Sequence, residues 1–323
     1  MDTGTQVKKQ ITDNKFIKDN IMRTLLYYDI FNHPLKEDEL YTLLPFNSIS
    51  KSDIISLIKK CCLEAENGFA SKDGYVYVKP KEETIGLRLE KERYSKKMWK
   101  IARLVTHIIK RFPFVRCILV TGSLSKNSSD KTADLDFMVI TAPGRLWISR
   151  TLLMLFKKFF LLNSYKYFCV NYFISEDRLE IEEKNIFTAT EIVYLKSTYN
   201  SELMYKFIVE NSWVKEYFPN YILCTPQTHS AGFNVNNRKS YVQKFFELFF
   251  PGKFGNRVDD YLRNRTQEYF KRKYNNVDKA EHSQMFKSTK NVSKAHPRNM
   301  QKRILALYND RLALYNLSPA GQK

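Results

Sequence analysis

The 323-residue chain has few cysteines, no long apolar run and a shortage of acid. Its five cysteines, Cys61, Cys62, Cys117, Cys169 and Cys224, are odd in number and none stands in a C-x-x-C pair. That excludes a disulfide scaffold, argues against a structural zinc site and points to a reducing compartment. The five histidines, His33, His107, His229, His282 and His296, show no ligand spacing. The most apolar stretch, Leu152 to Leu162, is interrupted by Lys157 and Lys158 and is far shorter than the ~20 apolar residues of a spanning helix. Met1 to Lys18 is polar and lacks the apolar core of a signal peptide. The expectation is therefore a cytoplasmic protein without a membrane span. Thirty-four acidic residues face 53 basic ones, a net charge of +19, with 43% apolar and 14% aromatic residues. This is the composition of a folded, basic protein of two or three domains that can bury a core without staples.

The excess charge is unevenly spread. Residues 1–110 carry +5, residues 111–235 carry +2 and residues 236–323 carry +12, whereas residues 18–80 are at −1. In that near-neutral segment, Ile21, Leu25 and Tyr28 mark one helix. Leu40, Leu43 and Leu44 mark a second after Pro34, and Ile54, Leu57, Ile58 and Cys61 a third, capped by Ser50 or Ser52. An Asp73-Gly74 turn then leads into Tyr75-Val76-Tyr77-Val78, the second arm of a hairpin. Three helices and a hairpin resemble a winged helix-turn-helix over residues 18–86, behind a flexible 1–17. A DNA reader needs phosphate-neutralising cations, and this module is slightly acidic with Asp53 on the third helix. Packing or partner docking is favoured over DNA binding. Residues 87–111 form a long helix in which Arg88, Lys91, Arg93, Lys96, Lys97, Lys100 and Arg103 alternate with apolar positions.

The chemistry-bearing stretch follows. Val115 to Thr121 is β-branched and apolar, a buried strand, and ends on Gly122-Ser123. Asp134-Leu135-Asp136 then opens a second buried strand, Phe137 to Thr141. Residues i and i+2 of a strand share a face, so Asp134 and Asp136 project together. Two adjacent carboxylates call for a divalent cation between them, and Mg²⁺ suits oxygen ligands that also meet phosphate. A glycine turn opening a helix permits close approach of phosphate oxygens to backbone N–H groups, with Lys126 as added positive charge.

This pattern of apolar strand, Gly-Ser, then Asp-x-Asp opening another strand resembles the nucleotidyltransferase superfamily, the fold that includes DNA polymerase beta, over roughly residues 105–185. The run Thr141-Ala142-Pro143-Gly144-Arg145-Leu146-Trp147 is similar to a bacterial subgroup that joins a winged helix to that domain. The resemblance implies an α/β (α+β) nucleotidyltransferase fold with a small mixed sheet in residues 87–220. It also implies Mg²⁺-dependent transfer of a nucleotidyl group from an NTP, ATP first among them. Gly122, Ser123 and Lys126 would bind nucleotide, and Asp134 and Asp136 would hold metal and act in catalysis. Active members carry a further carboxylate on a later strand. Here the strand Tyr167 to Ile174 has Asn171 in its middle, and an amide cannot act as a base. Three readings follow. Glu180 or Glu182 is brought in by another strand, one metal suffices, or the fold binds nucleotide without turnover as a nucleic-acid-binding or regulatory protein.

Residues 184–220 read as helical, 221–237 as a linker, and 238–323 as a basic helical region containing the aromatic run Phe245 to Phe250. Its composition suits first a helical subdomain with the aromatic cluster packed inside and the Lys and Arg side chains outside. An RNA or other polyanionic acceptor bound through 87–111 and 238–323, or a membrane surface, would also account for it.

Overall fold

The computed structural model describes residues 14–63, 68–162, 166–222 and 240–319. Most of the expected 221–237 linker and the first thirteen residues lie outside these. Residues 14–17, expected to be flexible, instead begin helix α1 (Asn14–Asp29), because Ile17 is a buried position of its apolar stripe.

After α1 the chain forms β1 (Leu35–Lys36), α2 (Glu37–Leu43), α3 (Lys51–Leu63), β2 (Phe69–Lys72) and β3 (Tyr75–Val78). The strands make an antiparallel sheet in the order β1-β3-β2, with Leu35 opposite Val76 and Phe69 opposite Val78. Asp73 and Gly74 both take positive φ (52° and 76°), which a two-residue hairpin turn matching strand twist requires. Ile21, Leu25, Ile54, Ile58 and Cys61 pack together beneath the sheet. Helix α4 (Thr84–Ile109), about 39 Å long, runs from this module to the larger sheet. Its first cations turn back onto the module. Arg88, buried, grips Glu39 at 2.7 and 2.8 Å, Glu92 at 3.1 Å and the carbonyl of Pro34, while Lys91 donates to the carbonyl of Phe31.

The larger part contains β4 (Val115–Val120), the single turn α5 (Gly122–Ser125), β5 (Asp136–Thr141), α6 (Leu146–Phe160), β6 (Cys169–Ser175), α7 (Ile186–Val193), β7 (Lys196–Tyr199) and α8 (Ser201–Glu210). Then come α9 (Tyr241–Glu247), α10 (Gly252–Lys273), α11 (Lys279–Met285), β8 (Phe286–Ser288), β9 (Val292–Ala295) and α12 (Met300–Leu314). The six-stranded mixed sheet has the order β7-β4-β5-β6-β9-β8, with β5 and β6 parallel across the α6 crossover and the other pairs antiparallel. Alternation decides the layers. Cys117, Leu119, Met138 and Ile140 face α7, α8, α12 and the N-terminal module, and Ile118, Val120, Phe137 and Val139 face α4 and α6. Both faces of β4 and β5 are covered, which is why they read as unbroken apolar runs. Among the described residues no helix is long and apolar enough to cross a membrane.

Two segments differ from expectation. Residues 196–199, expected to be helical, form β7 on the open edge of β4, where Ser197, Thr198 and Tyr199 are buried by sheet pairing rather than by a helical stripe. The 238–323 region is not all helix, since β9 adds to β6 and carries β8 with it. Several side chains hold this region in place. Arg145 donates to the carbonyls of Gly144 and Gly252 and to Asn256, and Asp259 accepts the Ile148 N–H at 2.9 Å, capping α6 from α10. Trp147 Nε1 donates to the carbonyl of Thr289 at 3.0 Å. The run from Thr141 to Trp147 is thus the seat of the C-terminal region. Helix α12 closes on α1, with Tyr308 edge-on to Tyr27 at 5.4 Å and Arg311 paired with Asp29.

Candidate active site

The site lies where β4 ends and β5 begins. The last backbone bond of that pair runs from Thr121 N–H to the Asp136 carbonyl, and Gly122 then takes φ +65°. A Cβ at Gly122 would stand 2.7 Å from Asp136 Oδ2, so glycine is required both by the backbone and by the carboxylate beside it. The loop between the strands is pinned to α4. Ser129 N–H donates to Ser95 Oγ at 3.1 Å and Trp99 Nε1 to Asn127 Oδ1 at 2.9 Å. Ser123, expected beside phosphate, has its hydroxyl bonded to that of Ser129 at 3.0 Å.

Asp130 accepts from Thr132 and Ala133 and closes the turn into Asp134. Leu135 is fully buried and is tied through its backbone to Lys166 and Cys169, so the partly buried Asp134 and Asp136 on either side share the other face. In the parallel β5-β6 pair, Asp136 stands opposite Cys169 and Phe137 opposite Val170, whereas Met138 stands opposite Tyr172. The extra residue is Asn171. This bulge re-aims its amide, which donates to Asp136 Oδ1 at 3.0 Å and lies 3.7 Å from Cys169 Sγ.

The carboxylate that sequence reasoning missed is Glu191, on α7. Its Oε2 accepts the Gly122 N–H at 3.2 Å and its Oε1 pairs with Lys126 Nζ at 2.7 Å. Lys126 also lies 3.3 Å from the Gly122 carbonyl and 5.7 Å from the centre of the Tyr194 ring. One signal was available: Glu191 is the only charged residue of α7, whose other residues are apolar or threonine. Glu180 and Glu182 do not enter the site. Residues 179–182 form no strand; Leu179 and Ile181 are buried, and the two glutamates turn outward to Lys184 and Lys287, each at 2.7 Å.

Burial pushes the Asp136 carboxyl up to about 6. Asp134 and Glu191 add to the rise, while the Cys169 thiol and Lys126 oppose it. Burial and Asp136 in turn raise the Cys169 thiol, so it stays protonated and serves as a donor to the carboxylate. No family model, curated protein or solved structure matches the chain. The geometry itself therefore carries the functional reading.

The N-terminal module reaches this site from behind. Tyr194, under Lys126, lies 6.3 Å from Tyr28, which lies 6.1 Å from His33. Burial, with the charges of Arg88, Lys91 and Lys126, holds His33 well below the usual imidazole range. It is a neutral packing residue. Among the described residues no three His, Cys, Asp or Glu side chains stand together as a ready metal cage. The donor set nevertheless suits one hard cation: Asp134 and Asp136 are paired carboxylates whose mutual repulsion is only partly offset by hydrogen bonds.

Proposed function

We propose that the protein transfers a nucleotidyl group from an NTP, ATP first among them, to an acceptor hydroxyl, as a member of the nucleotidyltransferase superfamily. One observation carries this reading: at the glycine turn that ends β4, Asp136 from the start of β5 lies against Gly122 and Glu191 from α7 accepts the Gly122 N–H, with Asp134 two residues before Asp136. Mg²⁺ would be held by Asp134 and Asp136, and when bound would neutralise charge developing at the α-phosphorus. Gly122, without a side chain, lets a phosphate oxygen approach its N–H once Glu191 has left it. Lys126, the counter-ion of Glu191, can exchange that carboxylate for the phosphates, because a polyphosphate offers more negative charge than one glutamate. Glu191, released, is the carboxylate able to take the proton of the acceptor hydroxyl as its oxygen attacks phosphorus and pyrophosphate leaves. Asn171, lacking basicity, orients Asp136 through its 3.0 Å bond.

The acceptor is a polyanion, RNA foremost. Arg93, Lys96, Lys97, Lys100 and Arg103 are exposed along α4, the helix to which the site loop is pinned through Ser95 and Trp99. The N-terminal module, read as a winged helix from its β1-β3-β2 sheet, serves as a docking element rather than a DNA reader. Its first helix is occupied by α12, and Lys51 on its third helix is paired with Asp38. A second reading, nucleotide binding without turnover, has the Lys126–Glu191 pair in its favour, since that pair occupies the ground beside Asp136.

Incubation with Mg²⁺, α-³²P-labelled NTPs, RNA and a small-molecule extract tests both readings. Label transfer that is lost in Asp134→Asn with Asp136→Asn supports the enzyme. NTP binding without transfer supports the second reading, and transfer undiminished in the double variant overturns the assigned site.

A further inference from the structure

Helix α9 is seated the wrong way round for a soluble protein. Gln243, fully buried, donates from Nε2 to the Val115 carbonyl at 2.7 Å. Glu247 accepts the Phe114 N–H at 2.9 Å and Arg116 Nη1 at 2.8 Å. These residues lie four apart, on one face of the helix, and their bonds fix its rotation. The polar stripe is therefore inside, and the apolar residues face out. Tyr241, Val242, Phe245, Phe246, Leu248 and Phe249 are between 47% and 89% exposed. The three phenylalanine rings pack on one another at 5.3 to 6.3 Å, so they form one patch rather than scattered residues. Phe254, on the first turn of α10, is 57% exposed as well. Folded monomers seldom leave such a patch in water.

We propose that α9 and the turn after it dock the protein onto a membrane surface rich in anionic lipid. Charge selects this occupant. From Tyr241 to Val258 the acidic residue, Glu247, is turned inward, and the outward charges, Lys244, Lys253 and Arg257, are all positive. A second copy related by a two-fold axis would set those cations against themselves. Single-stranded RNA would stack on open ring faces, but these rings meet each other edge to face, and Val242 and Leu248 offer no stacking surface. Aromatic and aliphatic side chains ringed by cations match the interfacial zone of an anionic bilayer. The seat of α9 is at the start of β4 and the Gly122 turn at its end, about 23 Å along the strand. A protein held at this face keeps the candidate site clear of the surface.

The test is co-sedimentation of the full chain with vesicles of phosphatidylcholine alone or mixed with phosphatidylglycerol. Binding to the mixed vesicles, weakened by salt, is expected, with little binding to phosphatidylcholine alone. Phe245→Ser with Phe246→Ser and Phe249→Ser should lower that binding at least about tenfold. All three side chains are exposed, so folding should be kept. Lys244→Glu with Lys253→Glu and Arg257→Glu should lower it through charge alone. Binding equal for both lipid mixtures, or unchanged in the phenylalanine variant, overturns the proposal. So does a dimer that the phenylalanine variant converts to monomer, or RNA binding lost in that variant without vesicle binding in the parent.

Discussion

Replacing Asp136 by asparagine should make the ligand-free protein more stable at neutral and alkaline pH while removing its proposed activity. The folded chain holds this carboxyl at about 6 against an ordinary 3.8, chiefly by burial, so the native state binds its proton more tightly than the unfolded chain does. Its contribution is full below about pH 4 and is lost as pH rises through about 6; above that the ionised group weighs against folding. A difference of about two in pKa corresponds to about 3 kcal/mol. Asparagine keeps the shape, can still accept from the Asn171 amide and carries no charge toward Asp134 or Glu191. Thermal unfolding of parent and Asp136→Asn at pH 8, 6 and 4 should show the variant melting of the order of 5 °C higher at pH 8. The gap should narrow at pH 6 and vanish near pH 4. A variant less stable at pH 8, or a gap that ignores pH, would refute the claim that a carboxylate only partly compensated for its burial sits at this turn.

The same carboxyl must be ionised to hold a cation, so transfer activity at limiting Mg²⁺ should rise with pH through about 6; a flat profile from pH 5 to 8 would count against its role. Glu191→Gln should lower kcat at least about a hundredfold with little change in melting temperature, and Lys126→Ala should raise KM for the NTP more than it lowers kcat, both read from steady-state kinetics. Gly122→Ala should cost at least about 2 kcal/mol in chemical denaturation, because it combines left-handed backbone with a Cβ 2.7 Å from Asp136 Oδ2. Arg145→Ala should cost about 3 kcal/mol by releasing α10 from Gly144, Gly252 and Asn256, and should expose the C-terminal region to limited proteolysis.

Local rules carried the sequence reading where the determinants are near neighbours. The Asp73-Gly74 hairpin, the stripes of α1 and α3, the apolar runs of β4 and β5 and the shared face of Asp134 and Asp136 all follow from periods of two or 3.6 and from the conformations open to glycine. Strand β7 escaped because a four-residue edge strand flanked by helices leaves no alternation long enough to outweigh the helical pattern around it. Glu191 escaped as a site residue because 55 residues separate it from Asp136, and only the packing of α7 across the sheet brings the two to one glycine. Asn171 was visible as the residue in the third carboxylate's place, but the bulge that turns its amide onto Asp136 depends on the register of β6 against β5. The inverted seating of α9 was hidden for a like reason. Its apolar residues predict a buried face, and only the bonds of Gln243 and Glu247 to β4 reveal which side is out. The sequence by itself determined the N-terminal helices and hairpin, strands β4 and β5, the two aspartates and the glycine turn, since these depend on residues a few positions apart. The tertiary structure alone decided which distant charges meet, because sheet order and helix docking are settled by the burial of whole faces, to which no short window of sequence has access.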